Sequence, residues 1–137
     1  MPSSIPLQVL LVDDESYFRL FVGKVLALAV PCTVTEARNG EEAVAHCRTN
    51  SPDLVLLDIN MPRMDGVQAL PLIRELKAAT PVVMLTSVSE EAVVEECVTL
   101  GASYFIRKDV HADQLQRELK EMLQMFFPDH VAPHEAT

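Results

Sequence analysis

Five short apolar runs punctuate the chain, at 9–12, 33–36, 54–57, 82–85 and 104–106, each rich in β-branched residues or leucine. Three of them are almost continuously apolar, the pattern of a strand buried on both faces of a parallel sheet. Between the runs, apolar residues recur at helical spacing. Phe18, Phe21, Val22, Val25 and Leu26 form one stripe of a first helix. Ala43, Val44 and Cys47 do the same on a short second helix, after an Asn39-Gly40 turn. A third helix is predicted from Asp65-Gly66, with Val67, Leu70, Ile73 and Leu76 facing inward and Pro71 bending it. The fourth is predicted to start at Ser89, an N-cap with Glu90 and Glu91 in the first turn, and to end at Gly101. The fifth carries Leu115, Leu119, Met122, Leu123 and Phe126 and stops before Pro128.

Strand and helix thus alternate five times. Short connections and right-handed crossovers turn that alternation into an α/β fold, a (βα)5 doubly wound five-stranded parallel sheet with helices on both faces. The 137 residues suit one core. One domain is expected over 7–127, with a short flexible C-terminal tail at 128–137. Ligands of such sheets bind beyond the carboxyl ends of the strands, so the polar residues there are the candidates for chemistry.

Composition narrows the partners. Hydrophobic residues make up 49% and charged residues 23%, and the formal net charge is −9. Nucleic acid and anionic membrane both require clustered Lys and Arg, so neither is expected as a partner. Cys32, Cys47 and Cys97 show no metal spacing and read as reduced thiols. No apolar run approaches the ~20 residues that span a bilayer. The first six residues lack the features of a signal peptide, and a cytoplasmic protein is expected. His46, His111, His130 and His134 lack metal spacing and are expected to be solvated, as is the acidic face of Glu90, Glu91, Glu95 and Glu96. Asp53 and Asp65 read as turn or capping residues.

The strand ends carry the chemistry. The first strand runs into Asp13-Asp14, the third into Asp58, the fourth into Thr86-Ser87 and the fifth into Lys108. A parallel sheet brings these ends to one edge, where three carboxylates, a hydroxyl and an ammonium group converge. Carboxylates packed together repel, and one keeps its proton unless a cation sits among them. Mg2+ suits such a site, because it takes oxygen ligands and bridges carboxylate to phosphate. An aspartate can serve as nucleophile and form an acyl phosphate. Lys108 and Thr86 are then placed to meet the phosphoryl oxygens.

In order and position these residues resemble the receiver domains of two-component response regulators, roughly from Val9 to Phe126. The resemblance rests on Asp13-Asp14, on Asp58 with Met61-Pro62 and Gly66 behind it, on Thr86-Ser87, and on Gly101-Ala102 through Lys108. It implies a flavodoxin-like sheet of order 2-1-3-4-5. It further implies that Asp58 is the phospho-acceptor. Asp14 and Asp58 would ligate Mg2+ by side chain, Asn60 by its backbone carbonyl, and Asp13 mostly through a bound water. Thr86 and the aromatic Phe105 would form the switch, and Lys108 would pair with the phosphoryl group.

The implied function is that of a single-domain response regulator, a signalling switch rather than an enzyme. It would receive its phosphoryl group from a histidine kinase or histidine phosphotransfer protein. It would signal through the face formed by the fourth helix, fifth strand and fifth helix, as a monomer or weak dimer. Two features depart from the family pattern. Asp109 stands where Pro usually follows the lysine, and since a non-proline cis bond costs about 3 kcal/mol a trans bond is expected. Val88 cannot orient an attacking water, which predicts slow loss of the phosphoryl group. Two other classes compete with this reading. A phosphorylation-independent pseudo-receiver is disfavoured by the intact acidic pair, Asp58, Thr86 and Lys108. An aspartyl phosphohydrolase of the haloacid-dehalogenase kind needs a second Asp where this chain has Asn60.

Overall fold

The computed structural model describes residues 5–87 and 91–131. The first strand, β1 (Leu7–Val12), sends Val9 and Leu11 to one face of the sheet and Leu10 and Val12 to the other. The same alternation holds in β3 (Leu54–Asp58) and β4 (Val82–Thr86), whose residues are all buried. Both faces are covered, which is why these runs are continuously apolar. The outer strands are β2 (Cys32–Ala37) and β5 (Tyr104–Arg107). At the edge, β2 leaves Thr33, Thr35 and Glu36 in solvent, and polar side chains on an edge discourage further strand pairing.

The strand order is β2-β1-β3-β4-β5 and every pairing is parallel. On one face, α1 (Ser16–Ala29) and α5 (Ala112–Phe126) pack through Phe18, Val22, Leu26, Leu115, Leu119 and Leu123. On the other lie α2 (Gly40–Thr49), α3 (Gly66–Leu76) and α4 (Glu91–Thr99), packed through Val44, Cys47, Leu70, Ile73 and Cys97. The expected doubly wound α/β fold is therefore the observed one. None of the helices among the described residues is long and apolar enough to cross a membrane.

Local chemistry explains the helix ends. Asn39 is not part of a free turn. It is the N-cap of α2, its side chain accepting from the Glu42 amide at 2.9 Å, and Gly40 is the first helical residue. Asp65 and Gln68 form a reciprocal capping box on α3. Gly101, at φ 103°, closes α4, with the Gly101 amide bonding to the Val98 carbonyl and the Ala102 amide to the Cys97 carbonyl. Ser89 and Glu90, the expected start of α4, lie outside the described residues. In α3 the inward stripe is Ala69, Leu70 and Ile73, while Leu76 is 40% exposed because the helix ends there, clear of the sheet.

Beyond α5 the chain turns back. The amides of His130 and Val131 bond to the Phe127 carbonyl, and Phe127 and Val131 pack on the α1–α5 core. His130 is half-buried edge-on to Phe127 rather than solvated, because this turn folds its ring inward. Residues 132–137, with His134, lie outside the described residues. All three cysteines are free, Cys47 and Cys97 buried and Cys32 half-buried.

Candidate functional site: an acidic pocket at the carboxyl edge of the sheet

Strand register assembles the site. Val12 pairs with Leu57, so the next residues, Asp13 and Asp58, emerge level on neighbouring strands. Thr86 pairs with Arg107, and the following Lys108 amide bonds to the Thr86 carbonyl at 2.9 Å. Four sequence-distant segments thus end at one edge. Asp13, Asp58 and Thr86 are polar yet buried, at 0%, 3% and 2% exposure. Buried groups of this kind need partners.

For the two carboxylates the partner is Lys108. Its ammonium lies 2.7 Å from Asp13 Oδ2, 3.1 Å from Glu15 Oε1 and 3.3 Å from Asp58 Oδ2. The face of Phe18 lies beneath it, 4.5 Å from ring centroid to nitrogen. Carboxylate oxygens of Asp13, Asp14 and Asp58 all fall within 4.8 Å of one another, with Asp14 exposed at the mouth. Arg19 supports the acidic pair from behind, its guanidinium donating to the Asp13 carbonyl at 2.6 Å and to Glu36 at 2.7 Å.

The electrostatics follow from that crowding. Burial, and then the charge of Asp13, pushes the Asp58 carboxyl up to about 7, against the pull of Lys108. Burial also raises Asp13, although Lys108 and the Glu15 amide favour its charged form. For Lys108, burial alone would favour the neutral amine. The bond to Asp13 and the charges of Asp58 and Asp13 outweigh burial, and its pKa lies above the usual lysine value. One ammonium does not compensate this many carboxylates. A hard divalent cation among Asp13, Asp14 and Asp58 fits the donor set and would restore the ionised form of Asp58.

The loop after β3 is held tightly against the acceptor strand. The Gly66 amide bonds to the Ile59 carbonyl at 2.9 Å, and a Cβ at Gly66 would run into the Asp58 carbonyl oxygen. The Gly40 amide bonds to the Met64 carbonyl at 2.7 Å, where a Cβ at Gly40 would lie 2.6 Å from that oxygen. Arg63, between them, adopts φ 71°, a left-handed conformation unusual for a side-chain-bearing residue. Asn60 is exposed in this loop, and Phe105 is half-buried on β5 against the α2–α4 face.

The expected residues Asp13, Asp14, Asp58 and Lys108 are therefore brought together, with Thr86 on the adjoining strand end. No cis peptide occurs among the described residues; Asp109 instead grips Arg107 through bonds of 2.8 and 2.6 Å. Asp53 accepts from the Gln8 amide, remote from the pocket. Val88 lies outside the described residues. Sequence reasoning missed Glu15, Phe18 and Arg19 as neighbours of the site. Their spacing at the start of α1, three and four residues from Glu15, was the available signal, since such residues share a helix face.

Comparison with known proteins agrees with this architecture. Residues 9–120 match the family model of the response regulator receiver domain. The chain is 34% identical over 116 residues to the chemotaxis protein CheY of Bacillus subtilis, covering 85% of this chain and 97% of that protein. It is 42% identical over 125 residues to the protein-glutamate methylesterase/protein-glutamine glutaminase of Archaeoglobus fulgidus, covering 87% of this chain but 36% of that longer protein. Among solved structures, the phosphorylated cyanobacterial phytochrome response regulator RcpA superposes with a TM-score of 0.84 at 28% identity, covering 93% of this chain and 99% of that one. The fold and the edge of acidic residues define a two-component signalling module. The chain belongs to the response regulator receiver domain family.

Proposed function

We propose that this receiver is a cytoplasmic phospho-acceptor switch, modified on Asp58 by a histidine kinase or histidine phosphotransfer protein. The observation that carries the reading is the buried Asp58 carboxylate, level with Asp13 and 3.3 Å from the Lys108 ammonium. In the transfer, an Asp58 carboxylate oxygen attacks phosphorus, the phosphorus–nitrogen bond of the donor phosphohistidine breaks, and the leaving imidazole regains a proton from solvent. Lys108 balances charge on the phosphoryl oxygens, and the Thr86 hydroxyl binds another of them.

The residues that would hold Mg2+ are Asp13, Asp14, Asp58 and the carbonyl of Asn60. When bound, the ion offsets negative charge shared by the carboxylates and the phosphoryl group. Thr86 and Phe105 form the switch on this reading. Phosphorylation draws Thr86 toward Asp58, and the half-buried Phe105 changes its packing beside α4. The listener is a protein that reads α4, β5 and α5. With Glu91, Glu95 and Glu96 exposed on α4, that face favours contact with basic partners over self-association, and the chain acts as a monomer or weak dimer. The receiver unit is 7–127, followed by the tail.

The cyanobacterial relative, solved in phosphorylated form, supports the acceptor chemistry. The test is incubation with Mg2+ and acetyl phosphate. The switch predicts one phosphoryl group per chain with little turnover. Rapid multiple turnover would indicate a phosphohydrolase, and no modification would indicate a pseudo-receiver.

A further inference from the structure

Lys108 holds one more carboxylate than the acceptor site needs. Glu15 Oε1 contacts its ammonium at 3.1 Å, and Glu15 Oε2 accepts from the Tyr17 hydroxyl at 2.9 Å. Glu15 stands at the N-cap position of α1, yet its side chain makes no capping bond. Its carboxylate is therefore oriented by Lys108 and Tyr17 instead. Of the three carboxylates on Lys108, Glu15 alone lies outside the acidic triad and near solvent, its side chain 42% exposed against 9% for Lys108.

We propose that Glu15 is a positioning residue that competes with the incoming phosphoryl group for Lys108, with Tyr17 as its stay, and so slows phosphoryl capture. This rests on the reading of Asp58 as the acceptor. A phosphoryl oxygen on Asp58 recruits the ammonium only if Lys108 gives up a contact it already has. Asp13 does not give way, because it is fully buried 2.7 Å from the nitrogen. Glu15 does, because water at the rim rehydrates its carboxylate at small cost. The latch is thus built from the residue directly after the acidic pair and the residue two further on. Phe18 remains under the ammonium in either state.

Contacts at this exposure translate into about a two- to fivefold change in rate or affinity. The test compares full-length wild type with Glu15→Gln and Tyr17→Phe in Mg2+. It measures the rate of Asp58 modification by acetyl phosphate and the affinity for beryllofluoride, which reads binding without chemistry. Glu15→Gln is expected to be about two- to fivefold faster and tighter, and Tyr17→Phe to shift the same way by less. Unchanged or slower capture in Glu15→Gln overturns the latch. If Glu15→Gln gains while Tyr17→Phe matches wild type, the effect is the loss of a negative charge, and the latch is again overturned. Wild type that takes no phosphoryl group overturns the acceptor reading together with the latch. Variants equal to a modified wild type overturn the latch alone.

Discussion

The ammonium of Lys108 sits closer to Asp13, at 2.7 Å, than to Asp58, at 3.3 Å. The lysine is thus shared, nearest to Asp13 while donating a hydrogen bond to Asp58 Oδ2. An acceptor carboxylate held by a single longer contact keeps lone pairs available for nucleophilic attack.

Removing the shared cation leaves buried carboxylates uncompensated. Lys108→Met is expected to destabilise the metal-free protein at pH 8 by about 2–3 kcal/mol, since one-sided removal of a buried pair is costly. Added Mg2+ or a lower pH restores part of the loss. Thermal melts with and without Mg2+ check this; a variant as stable as wild type at pH 8 without the ion would contradict it.

The Asp58 carboxyl, raised to about 7 by burial and then by Asp13, makes stability depend on pH. Between its ordinary value near 4 and about 7, the folded state binds more protons at this residue than the unfolded state does. This group therefore makes stability fall as pH rises through that window, and above pH 7 the cost is fully present. In metal-free protein Asp58→Asn should remove this group's part of the decline and gain on the order of 2 kcal/mol at pH 8. Chemical denaturation at pH 5 and pH 8 reads the difference, and parallel pH profiles for variant and wild type would refute it.

Two glycines predict opposite outcomes. Gly66→Ala drives a methyl group into the Asp58 carbonyl and should cost more than about 2 kcal/mol. It should also slow Asp58 modification by displacing the acceptor strand end. Gly23, inside α1, has open space around its Cβ position, so Gly23→Ala should stabilise by about 0.5–1 kcal/mol. Denaturation midpoints and modification rates of the two variants test both statements.

Much of this was legible before the structure. The three central strands announced themselves because burial on both sheet faces leaves no room for polar residues, and Asp13, Asp58 and Lys108 followed because strand ends share an edge. Other features depend on side-chain direction and register. Glu15 reads as an ordinary helix-start acid until Lys108 is seen to reach it. Leu76 completes a helical stripe, yet lies where the helix has already cleared the sheet. His130 follows Pro128 and Asp129, and only the turn onto Phe127 draws its ring inward.

Thr86 separates capture from readout. Thr86→Ala should still accept a phosphoryl group, several-fold more slowly, but lose the phosphorylation-dependent change around Phe105. Thr86→Ser keeps the hydroxyl and should retain it. Side-chain NMR of Phe105 with and without beryllofluoride distinguishes the two, and an unchanged response in Thr86→Ala would sink the proposed switch.

The account turns on Asp58 as the phosphoryl acceptor. After treatment with acetyl phosphate and Mg2+, borohydride reduction converts an acyl phosphate at aspartate to homoserine, which peptide mass spectrometry locates. We expect homoserine at position 58 in wild type and none anywhere in Asp58→Asn. Homoserine at Asp13 or Asp14 instead, or none in wild type, would contradict the assignment.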